Sequence, residues 1–219
     1  MYDLKFILSF LKDLAKNNDR EWFQDNKQRY QKAHAAFITL IGDLINKIGR
    51  FDPDIATLDS KKCVFRIYRD VRFSKNKTPY KNNFGANMSP GGRKSGLASY
   101  YIHIQPGASM LAGGMYHPEP ENLARIRQEI DYNPGTLSEI LQSSAFRNQF
   151  GEMKGEKLKR PPKGYDPEHL NIEWLKHKDF IVYKSISDGE LTGKNFVTSA
   201  AEAFKVLRPF NNYFNVAVS

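Results

Sequence analysis

The residues best suited to chemistry lie in one segment, R-I-Y-R-D-V-R-F-S-K-N-K-T-P-Y-K from Arg66 to Lys81. Guanidinium groups are planar forks whose N–H donors match the paired oxygens of a carboxylate or phosphate, so a loop offering several is a candidate anion cradle. If Arg66 lies on a strand, Tyr68 and Asp70 share its face while Ile67 and Arg69 point the other way. Arg69, Asp70, Arg72, Lys75, Lys77 and Lys81 then fall at the strand end and its loop. Asp70 is placed to orient one arginine, and Tyr80 with the Thr78-Pro79 turn is placed to complete the wall. His103, on the polar side of a later alternating stretch, is placed to line the same site. The ligand-binding candidates are therefore Arg66, Arg69, Asp70, Arg72, Lys77, Tyr80, Lys81 and His103.

Charge points to the same place. The 219-residue chain has a formal net charge of +9. Residues 61–94 hold ten basic side chains and one acid, so they account for the whole excess. The rest of the chain is neutral as a set, as in an ordinary globular protein. An apolar share of 40%, with 13% aromatic residues, is enough to build a core and excludes a disordered chain. At this length no disulfide staple is needed. The single cysteine, Cys63, reads as a small buried hydrophobe and fits a reducing, cytoplasmic setting. The start of the chain does not read as a signal peptide, and no stretch approaches a membrane span.

The elements that must position these residues follow from periodicity. Leu4, Ile7, Leu8, Leu11 and Leu14 have helical spacing, Asn17-Asn18-Asp19 stops that helix and caps the next, and Arg20 to about Gly49 is again helical. Trp22 and Phe23 fall on the apolar face of this hairpin and read as core. Cys63–Arg69, Phe84–Ser89, Ser99–Gln105, Ser109–Tyr116 and Phe180–Ser187 read as strands, and their closeness in sequence favours antiparallel pairing. Tyr100, Ile102 and Ile104 alternate with Tyr101, His103 and Gln105. Gly113-Gly114 signals a bulge or a close backbone approach. Further helices are expected over Pro118–Tyr132, Pro134–Phe150 and Asn195 to about Leu207, where Pro209 limits or kinks the last. Segregated helices and strands predict one α+β domain over residues 1–219, with an antiparallel sheet of about five to six strands against an N-terminal helical hairpin and C-terminal helices.

The motif also resembles a known family. Arg66, Arg69, Asp70, Arg72, Phe73, Asn76, Lys77 and Tyr80 look like the R-x-x-R-D-x-R-F signature of the bacterial family called domain of unknown function 2461. The N-terminal Asn18-Asp19-Arg20-Glu21-Trp22-Phe23 and the later Arg160-Pro161-Pro162-Lys163-Gly164-Tyr165-Asp166 look like it too. The resemblance implies a soluble bacterial-type protein of about this size and no activity.

Three functional classes stay open at this point. The first is a protein that binds a small anionic or phosphorylated ligand in an arginine-rich pocket, with or without catalysis. The second is a nucleic-acid-binding module using the basic face, with Lys154, Lys157, Lys159, Arg160 and Lys163 as a second basic run and Tyr68, Phe73 and Tyr80 interleaved. The third is a scaffold whose arginines pair with acids such as Asp19, Glu21 or Asp25. No cofactor or metal is expected: His34, His169 and His177 lack ligand spacing with one another or with Cys63, and G-x-S-x-G is absent. Gly91-Gly92-Arg93-Lys94-Ser95 lacks the spacing of a phosphate-binding P-loop and reads as a flap between strands. His117, beside Gly113-Gly114 and Pro118, reads as structural.

Overall fold

The computed structural model describes residues 3–219. Helix α1 (Leu4–Lys16) is capped by Asp3, whose carboxylate accepts the Phe6 N–H at 3.0 Å. Helix α2 (Arg20–Asp25) is capped by Asp19, which accepts the Trp22 N–H at 2.8 Å. The expected long second helix is broken at Asn26, and α3 (Lys27–Ile48) forms its main part. A 3₁₀ turn (Pro53–Ile55) and the one-turn α4 (Ser60–Cys63) lead into the basic segment.

The sheet is antiparallel, in the order β1 (Phe84–Met88), β2 (Ser99–Ile104), β3 (Ser109–Met115), β4 (Phe180–Ile186). It has four strands where the sequence predicts about five to six. The missing strand is Cys63–Arg69. Its first residue ends α4, and the rest makes only the isolated bridges Val64–Ala86 and Tyr68–Tyr80. Backbone bonds from Phe65 to Gly85 and from Lys81 to Ile67 hold it along the edge of β1 without a continuous ladder.

Between β3 and β4 lie α5 (Pro120–Tyr132), α6 (Pro134–Gln142), α7 (Ser144–Phe150) and α8 (Ile172–Leu175). After β4 come α9 (Asp188–Leu191) and α10 (Phe196–Val218). Pro209 does not end α10. It lacks the N–H that would bond back one turn, but Phe204, Leu207, Phe210 and Phe214 are all buried, and their packing carries the helix through.

One face of the sheet packs on helices α3 and α10. Phe84 stacks on Phe37 at 5.3 Å, and Tyr100 meets Phe204 edge-on at 5.3 Å. Tyr100 also donates to Asp52 at 2.6 Å, and burial pushes its hydroxyl far above the ordinary range. Gly113-Gly114 is a close approach, since pairing is continuous on both sides. A Cβ on Gly113 would collide with Leu207, and one on Gly114, at φ +105°, with the Phe180 carbonyl. Because side chains alternate along a strand, burying this face leaves Asn87, Tyr101, His103, Ala112 and Tyr183 on the opposite, open face.

Candidate functional site

The open face floors a cavity of about 680 Å³. Register makes the floor: Asn87, Tyr101, Ala112 and Tyr183 stand in one row across all four strands. Phe65, Lys81 and Arg93 wall it along the β1 edge. Tyr116, His117 and Glu119 wall it where the chain leaves β3.

Tyr101 lies over β1, and it fits because residue 85 is glycine. A Cβ there would sit 2.7 Å from the Tyr101 hydroxyl. That hydroxyl is 3.2 Å from His103 Nδ1, to which Asn83 Nδ2 also comes within 3.3 Å. His103 Nε2 is 3.0 Å from Gln105 Oε1. With its proton on Nε2 the ring donates to Gln105, and the single lone pair of Nδ1 is shared between the Tyr101 hydroxyl and the Asn83 amide. Both nitrogens are then occupied, so His103 is a fixed polar point on the floor.

On the wall, the Lys81 ammonium and the Arg93 guanidinium both lie over the Phe65 ring, at 5.6 and 4.8 Å from its centre. Arg93 donates to the Val64 carbonyl at 2.8 Å. Neither cation belongs to an ion pair among the described residues. Burial, then repulsion from Arg66 and Arg93, lowers the Lys81 pKa.

The remaining predicted residues have other surroundings. Arg69 folds back on Thr78 Oγ1 and reaches Ser74 Oγ at 3.4 Å. Asp70 grips Arg72 with two bonds of 3.0 and 2.6 Å. Lys77 donates to the Val71 carbonyl at 3.0 Å, and Asn76 accepts from the Thr78 N–H at 2.9 Å. These bonds shape the loop itself. Tyr80 is buried, stacked on Phe23 at 3.9 Å, and its backbone is bracketed by the Asn18 amide at 3.0 and 3.1 Å. Arg69, Tyr80 and Lys81 border a second pocket of about 320 Å³, which shares Lys81 and Asn83 with the lining of the larger cavity. Arg66 is exposed and borders neither cavity, though its charge acts on Lys81. Of the eight predicted residues, then, Lys81 and His103 line the large cavity, Arg69 and Tyr80 the small one, and Asp70, Arg72 and Lys77 hold the loop.

The sequence alone gives Arg93 no more than a place in a glycine-rich flap and His117 a structural reading. His117 is positioned by Asp179, 62 residues away, a relation no local pattern carries. Among the described residues no group of three or more His, Cys, Asp or Glu is placed to hold a metal, and no helix is long and apolar enough to cross a membrane.

These features define an α+β protein whose antiparallel sheet has one helix-covered face and one open face over a cavity of small-molecule size. The chain belongs to the family described as conserved hypothetical protein (DUF2461), whose model matches residues 6–213. That span includes all three segments on which the resemblance rested. No curated protein and no solved structure matches the chain.

Proposed function

We propose that this protein binds a small anionic ligand, carboxylate or phosphate, on the open face of the sheet, with its anionic group at Lys81 and Arg93 and its body over Tyr101 and Tyr183. One observation carries the reading. Lys81 and Arg93 lie together at Phe65 without a carboxylate, with Arg66 nearby, and burial first, then repulsion from Arg66 and Arg93, lowers the Lys81 pKa. Like charges held together are destabilising, and an external anion relieves the repulsion. The apolar and aromatic floor with few polar points fits a small molecule.

The test is a thermal-shift panel at low salt with inorganic phosphate, citrate and sugar phosphates. At 100 times its dissociation constant a ligand adds about 2.7 kcal/mol. The shift is expected to vanish in Lys81→Ala and Arg93→Ala and to persist in Arg72→Ala. No shift with any anion would overturn the reading. A second reading, single-stranded nucleic acid on the basic loop, is favoured by Phe73. Its ring is 97% exposed at the loop tip, with the Arg72 guanidinium 5.9 Å from its centre. It predicts salt-sensitive oligonucleotide binding that Phe73→Ala weakens by about 1–3 kcal/mol.

A further inference from the structure

The cavity rim holds a histidine set as general bases are set. His117 lines the cavity, and its side chain is 59% exposed. Its Nδ1 is 3.1 Å from Oδ1 of Asp179, which also accepts the His117 backbone N–H at 2.8 Å. Asp179 is 2% exposed, and its other oxygen accepts the Glu156 N–H at 3.1 Å. The carboxylate is therefore buried, fully ligated and fixed. Gly155, at φ +115°, lets the neighbouring backbone close over it, since a Cβ there would sit 2.5 Å from the Asp179 Cβ. His117 is also the one non-glycine residue at positive φ, 49°, among the described residues. Strain of this kind persists where surrounding bonds enforce it, and it gathers at functional sites.

The geometry points to a catalytic cleft in which His117 is the general base and Asp179 the positioning residue that holds the proton on Nδ1 and leaves Nε2 bare. The inference rests on the anion-binding reading for its substrate class, a small anionic ester. In the step, a water O–H proton moves to Nε2, and the water oxygen bonds to the ester carbonyl carbon. The carbon–oxygen bond to the alcohol then breaks, and the departing oxygen takes the proton from Nε2. Water and ester give acid and alcohol, and His117 returns to its starting state. Asp179 keeps its contact with Nδ1 throughout and stabilises the imidazolium.

The bland alternative is a clamp that ties the turn after β3 to the start of β4. His117→Asn separates the two. Asparagine tolerates positive φ and can still donate to Asp179, so it preserves a clamp but has no titrating base. With 4-nitrophenyl hemisuccinate as probe, His117→Asn is expected to lose about 100-fold or more of the wild-type rate, while its melting temperature and phosphate-induced shift stay unchanged. Wild-type turnover at background, or equal rates in wild type and His117→Asn, overturns the proposal. In the unmodified protein at pH 8, long-range ¹H–¹⁵N correlation should show His117 protonated on Nδ1 alone. A ring protonated on Nε2, or averaging between the two forms, also overturns it. Neutral 4-nitrophenyl acetate distinguishes the two failures. If the anion reading alone is wrong, acetate is hydrolysed as fast as hemisuccinate and still depends on His117.

Discussion

The basic loop and the cavity wall carry the same kinds of residue in opposite states. In the loop every cation with a hydrogen bond spends it on the loop: Arg72 on Asp70, Lys77 on the Val71 carbonyl, Arg69 on Thr78 and Ser74. On the wall Lys81 and Arg93 share one aromatic ring, Arg93 also donates to the Val64 carbonyl, and neither has a carboxylate. Density of positive charge in the sequence marks the loop, whereas cations lining a cavity mark the wall. The second property is what recognises a ligand. A cation already paired must give up its partner before it can bind another.

The sharpest way to break this contrast is to collapse the cavity without touching either set of charges. Gly114→Ala places a Cβ against the Phe180 carbonyl at φ +105°. Backbone cannot yield there as a flexible side chain would, so a loss of more than about 3 kcal/mol in denaturant unfolding is expected, with any anion-induced shift lost as well. A smaller loss would mean that β3 and β4 can separate, and that the floor is less fixed than its register implies.

Asn18→Ala should come next. It removes both bonds that bracket the Tyr80 backbone while leaving the Tyr80–Phe23 stack in place. The expected cost is about 1–3 kcal/mol, because a part-buried N–H and C=O lose their partners. Tyr80 precedes Lys81, so this variant should also weaken anion binding. Arg72→Ala should leave both the melting temperature and anion binding unchanged. If Arg72→Ala abolished binding and Lys81→Ala did not, the loop and not the wall would be the site.

How much of this was legible in the sequence depended on the range of the interaction. Tyr100, Ile102 and Ile104 against Tyr101 and His103 were readable as two faces, because strand alternation is local, and the structure buries the first set. The helical hairpin and the cap at Asp19 are equally local. The extra strand at Cys63–Arg69 was wrong. Its β-forming residues alternate well, but continuous pairing is decided by the partner, and 79–86 offers it only isolated bridges and single bonds. The motif's arginines were visible and their partners were not, so a loop held by its own bonds looked like an anion cradle. Arg93 and His117 gain their meaning from Phe65, Val64 and Asp179, which no periodicity connects to them.

A further expected effect concerns pH, and it tests whether the Asp179 region is rigid. His177 is 1% exposed, and its Nδ1 is 3.0 Å from the Asp179 carbonyl oxygen. Burial first, then the charge of Lys157, lowers its pKa, and burial lowers that of His34. Both rings stay neutral in the folded protein where the unfolded chain takes up protons, around pH 6.5. The unfolded state then binds more protons, so stability rises with pH across that window and falls as pH drops from about 7 to 5. Asp70, Glu173 and Glu190 have lowered pKa values, so their contribution is lost only further into acid. Urea midpoints at pH 7, 6 and 5 should therefore fall steadily, and His177→Gln should flatten the slope. An unchanged slope in that variant would mean that the ring is reached by water and that the ground beneath Asp179 opens. A carboxylate on mobile ground could not hold His117 in one tautomer, so the same titration bears directly on whether the rim can act as a base.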